Sequence, residues 1–400
     1  MPQSRASGPM VRLIAPGNVL HNSGGNAYNA ALARGLTALG AEVEICRVDG
    51  HWPVGSGEER RRLARTLLGG AARSRESVTI VDGLVALGAP GALEEAAAAG
   101  RPAWILLHMA LEEHPDLEER ALAAAAGVIC ASSTAATALR ARYSGAGYGG
   151  ARYGGARYSG AGYSGAGYSR TGGVRRALPP IHAAPPGTNP APLAGGSEPP
   201  HLVSVAALLP NKDQLLLLAA LADLKDLPWS AALVGSDSAD PVYAEEVRST
   251  VTRLGLAGRV AVRGELTGQA FAEEWHRADL SLLVSRVETY GMVVTESLAH
   301  GIPVVVRNGT GAVEALAAGS PDAAETSGAE VPDGGGAPAL PGAAVVLDTD
   351  PAPLAAVLRR WLTDRDLREQ WREAAVAART RLPGWDVTAR TVLDIVAGPR

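Results

Sequence analysis

Apolar and polar positions switch period repeatedly along this chain. Residues 11–15 (VRLIA) form a short apolar run followed by ProGlyAsn, the pattern of a buried strand. After HNSGG (21–25), Leu32, Leu36 and Leu39 recur at helical spacing and Gly40 closes the segment; residues 42–48 then read as a second strand. Strand, glycine-rich loop, helix, strand is a βαβ unit, whose ligands bind at the carboxyl ends of the strands. Three more apolar runs, 77–81, 103–107 and 127–130, predict strands ending on Asp82, His108 and the Ser132–Ser133 pair. The alternation restarts beyond residue 200, with strands at 201–206, 229–234, 260–263 and 280–284 and a helix over 215–224. Four hundred residues exceed what one core serves. The expectation is therefore an α/β protein with two domains, 1–184 and 201–382, each on a mostly parallel sheet. The Pro-rich segment 185–200 reads as their linker. Residues 353–382 read as two helices and the tail, 383–400, as a last one.

The segment 285–306, SRVETYGMVVTESLAHGIPVVV, carries the most chemistry. It sets Glu288 and Glu296 eight positions apart. On one continuous helix that spacing is roughly 80° past two turns, so the two acids would not share a face. The segment instead divides into a loop over 287–291, a helix over about 292–300 that Gly301 ends, and a buried strand after Pro303. Amide groups near Gly291, Met292 and Val293 then lack intrahelical partners and form a ready anion site. A carboxylate on either side suits a polyhydroxylated phosphate ester, with Tyr290 in the same turn. Gly24 and Gly25, between strand and helix, let backbone approach a phosphate. Lys212, in the loop LLPNKD, supplies a cation at a strand end, and Gly235 ends the next strand.

Composition narrows the classes. Lys and Arg number 37 against 41 Asp and Glu, a net charge of −4 that disfavours nucleic acid as a partner. The two cysteines, Cys46 and Cys130, fall in strands and read as buried thiols in a reducing compartment, without metal-ligand spacing. No apolar run reaches 18 residues and the start, MPQSRASGPM, lacks a signal-peptide core, so a cytoplasmic protein is expected. Tyrosine recurs every five residues from Tyr143 to Tyr168 among Ser, Gly, Ala and Arg. That period matches neither helix nor strand, so 143–169 reads as a flexible insertion. The plain reading gives it no task; the sharper one makes it an arm whose Arg and Tyr touch anionic lipid, a weak peripheral membrane contact, or a polyanionic acceptor.

The Glu-x7-Glu spacing of Glu288 and Glu296 resembles the signature of retaining family-4 glycosyltransferases. The likeness is strongest over 203–316, fair over 11–49, and includes NGTGAVE at 308–314. It implies the GT-B fold, two Rossmann-like halves facing across a cleft, the donor on the second half and the acceptor on the first. It implies that Glu296 binds the nucleotide's ribose, that Glu288 lies against the donor sugar, that Lys212 neutralises the phosphates and that His108 sits near the sugar. It further implies transfer with retention, without metal or cofactor, from a nucleotide-diphosphate sugar to an acceptor of unknown kind: a small molecule, a glycan or a lipid-linked group. In this fold class the terminal helix crosses back onto the first domain. The chain departs from the family where an arginine usually precedes the lysine: Ala207 and Asn211 stand there, leaving Arg286 or Arg263 to compensate. The loop near Arg263 is also where base choice is expected. The alternatives are another GT-B enzyme, such as a sugar-nucleotide epimerase, or a non-catalytic module that binds a sugar nucleotide.

Overall fold

The computed structural model describes residues 9–17, 23–69, 77–111, 113–143, 178–320 and 340–398. The chain divides into two compact units. The first gathers Met1–Leu20, Ala33–Ala184 and Ala389–Arg400, the second His21–Leu32 and Pro185–Thr388.

The first unit is built from β1 (Met10–Pro16), α1 (Gly24–Ala38), β2 (Glu42–Val48), α2 (Gly57–Leu68), β3 (Ser77–Asp82), α3 (Gly83–Ala86), α4 (Pro90–Ala98), β4 (Trp104–Leu107), α5 (Pro115–Ala124), β5 (Gly127–Cys130), α6 (Ser133–Tyr143) and β6 (Ile181–Ala183). Its sheet has the order β2-β1-β3-β4-β5-β6, every pair parallel. Interior strands are the apolar runs: Ile14, Ile80, Val81, Ile105 and Val128 are fully buried. Edge strand β2 is half-exposed, so Cys46 is only partly covered while Cys130 is buried. Burial pushes the Cys130 thiol up to about 12. Helix α2 starts at a capping box, Ser56 with Glu59, and turns Leu63, Ala64 and Leu67 inward. Ser132 caps α6 through the amide of Ala135 at 2.9 Å. That helix runs on to Tyr143, whose hydroxyl donates to the buried Glu118 carboxylate. The first tyrosine of the repeat is thus helical; the others lie outside the described residues, as does most of the 317–341 excursion.

The second unit holds β7 (His201–Val205), a 3-10 turn (Pro210–Lys212), α7 (Gln214–Ala222), β8 (Ser230–Val234), α8 (Pro241–Arg253), β9 (Val260–Gly264), α9 (Gly268–Arg277), β10 (Leu280–Leu283), α10 (Met292–Ala299), β11 (Val304–Arg307), α11 (Ala312–Ala317), β12 (Gly342–Val345), α12 (Ala352–Thr363), α13 (Arg365–Ala378) and α14 (Trp385–Ala397). The order is β12-β11-β10-β7-β8-β9, again all parallel. From β7 the chain steps outward through β8 and β9. It then returns to place β10 on the other flank of β7 and continues through β11 and β12. The reversal falls between β7 and β10, so the loops leaving those two strands flank a topological switch point.

The segment 185–200, read from its prolines as a linker, is laid onto this second unit. The amide of Ala194 donates to the His300 carbonyl at 3.0 Å and that of Gly195 to the His276 carbonyl at 2.8 Å. Arg372 and Arg379 donate to the carbonyls of Ala194 and Ala191. Two helices are shared in the partition. The first turns of α1 group with the second unit, where Tyr28 meets Trp385 edge-on at 5.4 Å. Helix α14 is divided after Thr388, whose hydroxyl donates to the Pro185 carbonyl at 2.7 Å.

Candidate active site

The loops after β7 and β10 meet through charge. Lys212 ends the 3-10 turn after β7, and its Nζ lies 2.7 Å from Glu288 Oε2 on the loop after β10. Both side chains keep partial exposure, 21% and 16%, so a ligand can still reach them. Asp213, the next residue, takes the left-handed conformation (φ 55°) and is buried. It accepts from two guanidinium groups: Arg286 at 2.9 Å and the buried Arg307. Arg307 also donates to the carbonyls of Val284 (2.9 Å) and Leu347 (2.6 Å), fastening β10 to the segment beyond β12. The backbone N–H of Arg286 donates to the Asn211 carbonyl at 2.8 Å. Arg286 therefore engages the residues on both sides of Lys212, and of the two cations left open for the missing arginine it is the one placed there. Arg263 is not: its side chain lines a separate cavity with His201, Glu274 and Arg277.

The Glu288 loop is set from below by glycine. The Gly311 amide donates to the Glu288 carbonyl at 2.8 Å, and a Cβ on Gly311 would stand 1.9 Å from the Thr289 carbonyl oxygen. Gly291 turns the chain into α10 at φ 84°, where a side chain is strained, and a Cβ there would meet Leu283 at 2.9 Å. No side chain caps α10, so its first amides, at Met292 and Val293, keep the anion-binding character of a helix start. Gly235 also serves close approach. A Cβ would lie 2.0 Å from the Ala206 carbonyl, and its N–H donates to Gly264, which ties the β7, β8 and β9 ends together.

Glu296 lies four residues beyond Met292, on the same face of α10. Among the described residues its carboxylate has no hydrogen bond or ion pair, and burial alone pushes its pKa up to about 7. Tyr290 does not offer its ring to a ligand. It is 4% exposed and packs with Val294, Leu298 and Ala312. Burial, then the charge of Glu314, raises its phenol well above the ordinary range.

Gly24 and Gly25 open α1, and the space at the Gly24 Cβ position is empty. Ser23 caps this turn, its Oγ accepting the Asn26 amide at 3.2 Å. His108 belongs to the first unit, with Nε2 3.5 Å from Oδ2 of the buried Asp82. Asp82 in turn caps α3 through the Leu84 amide at 2.8 Å. Of the residues singled out from sequence, Lys212 and Glu288 are in direct contact, and Gly291, Met292, Val293 and Glu296 continue from the Glu288 loop. Asp213, Arg307 and Gly311 were not singled out. The arginine closing VVVR was the available signal, since a cation on a buried strand requires an acid.

Comparison with known proteins gives this arrangement its class. Residues 188–377 match the family model for glycosyl transferases group 1. The D-inositol 3-phosphate glycosyltransferase of Thermomonospora curvata is 31% identical over 207 residues, 50% of this chain and 43% of the relative. The mannosylfructose-phosphate synthase of Agrobacterium fabrum is 29% identical over 124 residues, 30% and 27% of the two chains. The matches thus span less than half the length of these curated relatives. In structure, the sucrose-phosphate synthase of Thermosynechococcus elongatus covers 97% of this chain and 98% of its own, with TM-score 0.68 at 16% identity. Anabaena HepE, solved in complex with UDP and glucose, covers 97% and 99%, with TM-score 0.64 at 17% identity. The fold is GT-B: α/β, with two parallel six-stranded sheets. Among the described residues no helix is long and apolar enough to cross a membrane.

Proposed function

We propose that this protein transfers a sugar from a nucleotide-diphosphate sugar to an acceptor hydroxyl, with the second unit holding the donor. The observation that carries the reading is the switch-point constellation: the Lys212–Glu288 pair beside an uncapped helix start, with Glu296, half-buried and unpartnered among the described residues, on that same helix. Lys212 and Glu288 neutralise each other. A pyrophosphate brings two negative charges and draws Lys212 to itself, which frees Glu288 to accept hydrogen bonds from sugar hydroxyls. The amides of Met292 and Val293 take a phosphate oxygen. Among the described residues no group donates to Glu296, and the two hydroxyls of a ribose diol would satisfy its oxygens. Gly24 and Gly25 add backbone donors from α1.

In the transfer the anomeric C–O bond to the nucleotide breaks and a bond to the acceptor oxygen forms. The acceptor proton passes to the leaving phosphate oxygen on the same face, giving retention. Lys212 and the α10 amides stabilise the charge on the leaving group, and no metal is assigned a role. The names of the curated relatives, a glycosyltransferase and a sugar-phosphate synthase, and the UDP and glucose bound to Anabaena HepE support this class of donor. Incubation with UDP-, GDP- and ADP-sugars, with and without EDTA, tests it. Release of nucleoside diphosphate from one donor, unchanged by chelation, with the product's anomeric configuration matching the donor's by NMR, is expected. Binding without turnover across acceptors would instead assign a sugar-nucleotide-binding module.

A further inference from the structure

A second polar constellation lies in the same unit, at the amino-terminal ends of β7 and β8. His201 and Ser230 are the first residues of those strands. The His201 ring is 2% exposed and is held on both nitrogens: Nδ1 lies 2.7 Å from Ser230 Oγ, and Nε2 lies 2.6 Å from Glu274 Oε1 on α9. Burial works against ionisation of Glu274. The hydrogen bond and charge of His201, with the charges of Arg277 and Arg263, outweigh it and hold the carboxyl below its ordinary range.

A cavity of about 210 Å³ opens beside this chain of polar groups, and its lining includes Arg259, Arg263 and Arg277. The Arg277 guanidinium lies 3.5 Å from each ring nitrogen of His201 and 3.9 Å from Glu274 Oε2. Arg259 sits over the Trp229 ring, 5.3 Å from its centroid, and donates to the Leu227 carbonyl. Arg263 makes no hydrogen bond among the described residues, and its charge helps hold the Glu274 carboxyl ionised. Three guanidinium groups therefore face one acid, and His201 already engages that acid. Asp279 is turned to the amides of Ser197 and His201, at 3.0 and 2.8 Å, and does not line the cavity. A concave site with excess positive charge and idle guanidinium donors is an anion receptor. Its volume is below the ~300–1,000 Å³ of drug-sized sites, so the anion is small.

We infer that this cavity binds a small phosphate dianion, gripped by Arg263 and Arg277 with the Ser230 hydroxyl at its floor. The site is distinct from the donor constellation: it lies by the amino-terminal ends of strands whose carboxyl ends carry the Lys212 and Gly235 loops. Inorganic phosphate and a phosphate monoester share this chemistry, so both serve as probes.

The full chain is titrated calorimetrically with inorganic phosphate and, separately, glucose 6-phosphate, each in the presence of excess UDP. One saturable site per chain that UDP does not displace is expected. Replacing Arg263 and Arg277 together by Ala is expected to weaken it by roughly tenfold per guanidinium, while Lys212→Ala leaves it unchanged. A tighter fit for glucose 6-phosphate identifies a monoester ligand, and the reverse order identifies free phosphate. Arg277 is 49% exposed and Arg263 lies on the surface, so circular dichroism and Tm of the double variant are expected to match the parent. No saturable binding of either probe below ~10 mM, displacement by UDP, or unchanged affinity in a folded double variant overturns the inference.

Discussion

Glu296 offers a prediction that joins stability to binding. Its carboxyl, ordinarily at 4.5, sits at about 7 because burial removes water and no donor among the described residues replaces it. Between those two values the folded chain holds a proton that the unfolded chain releases. Stability therefore falls as pH rises through this window, by up to ~3 kcal/mol once the group is ionised. Glu296→Gln keeps the shape and removes the charge. In the absence of ligand, urea unfolding is expected to find the variant close to the parent at about pH 5 and more stable by ~1–3 kcal/mol at about pH 8. Binding should move the other way. If ribose hydroxyls donate to the carboxylate, UDP favours the ionised form and draws the proton off. Parent affinity then rises up to about tenfold per pH unit below ~7, and calorimetry in two buffers of different ionisation enthalpy detects the released proton. The titration of the nucleotide's own phosphate is common to both proteins and cancels in the comparison. A stability difference that is the same at both pH values, with parallel UDP affinity profiles, would refute this account of Glu296.

Three further outcomes follow from the geometry. Arg307→Met leaves Asp213 buried with only the partly exposed Arg286 as a charge partner; a loss of ~3–5 kcal/mol in urea unfolding is expected, far above that of a surface arginine such as Arg365→Met. Gly311→Ala pushes a methyl group into the Thr289 carbonyl, and the Glu288 loop must move; donor turnover should fall by at least tenfold while Tm drops only a few degrees. Gly291→Ala forces a side chain into the left-handed region at the start of α10, costing ~1–2 kcal/mol in unfolding and weakening nucleotide binding in calorimetry.

The strands were legible because β1, β3, β4 and β10 are short, mostly apolar runs bounded by turn residues, as buried parallel strands require. Helix α2 carries its own start signal, Ser56 followed by Glu59, but its many arginines mask a narrow apolar stripe. Strand β12, GAAV, is too poor in β-branched and large apolar residues to stand out beside the Gly- and Ala-rich stretch before it. Prolines in 185–200 suggested a linker, because composition reports the loss of regular structure and not what the segment packs against. In the candidate site the Glu288 loop, the α10 start and the Lys212 loop were readable from turn chemistry. The pairing of Lys212 with Glu288 was not, because it depends on β7 and β10 becoming neighbours across 76 residues of sequence. The inward turn of Tyr290 and the burial that raises the Glu296 carboxyl likewise arise only once α10 packs.

The central claim is that the switch point of the second sheet grips a nucleoside diphosphate through Lys212. Calorimetric titration of the parent and of Lys212→Ala with UDP, GDP and ADP tests it most directly. One nucleotide should bind the parent with 1:1 stoichiometry, and Lys212→Ala should lose roughly ten- to hundredfold of that affinity while remaining folded. Absence of binding by all three nucleotides, or equal affinity in the two proteins, would contradict it.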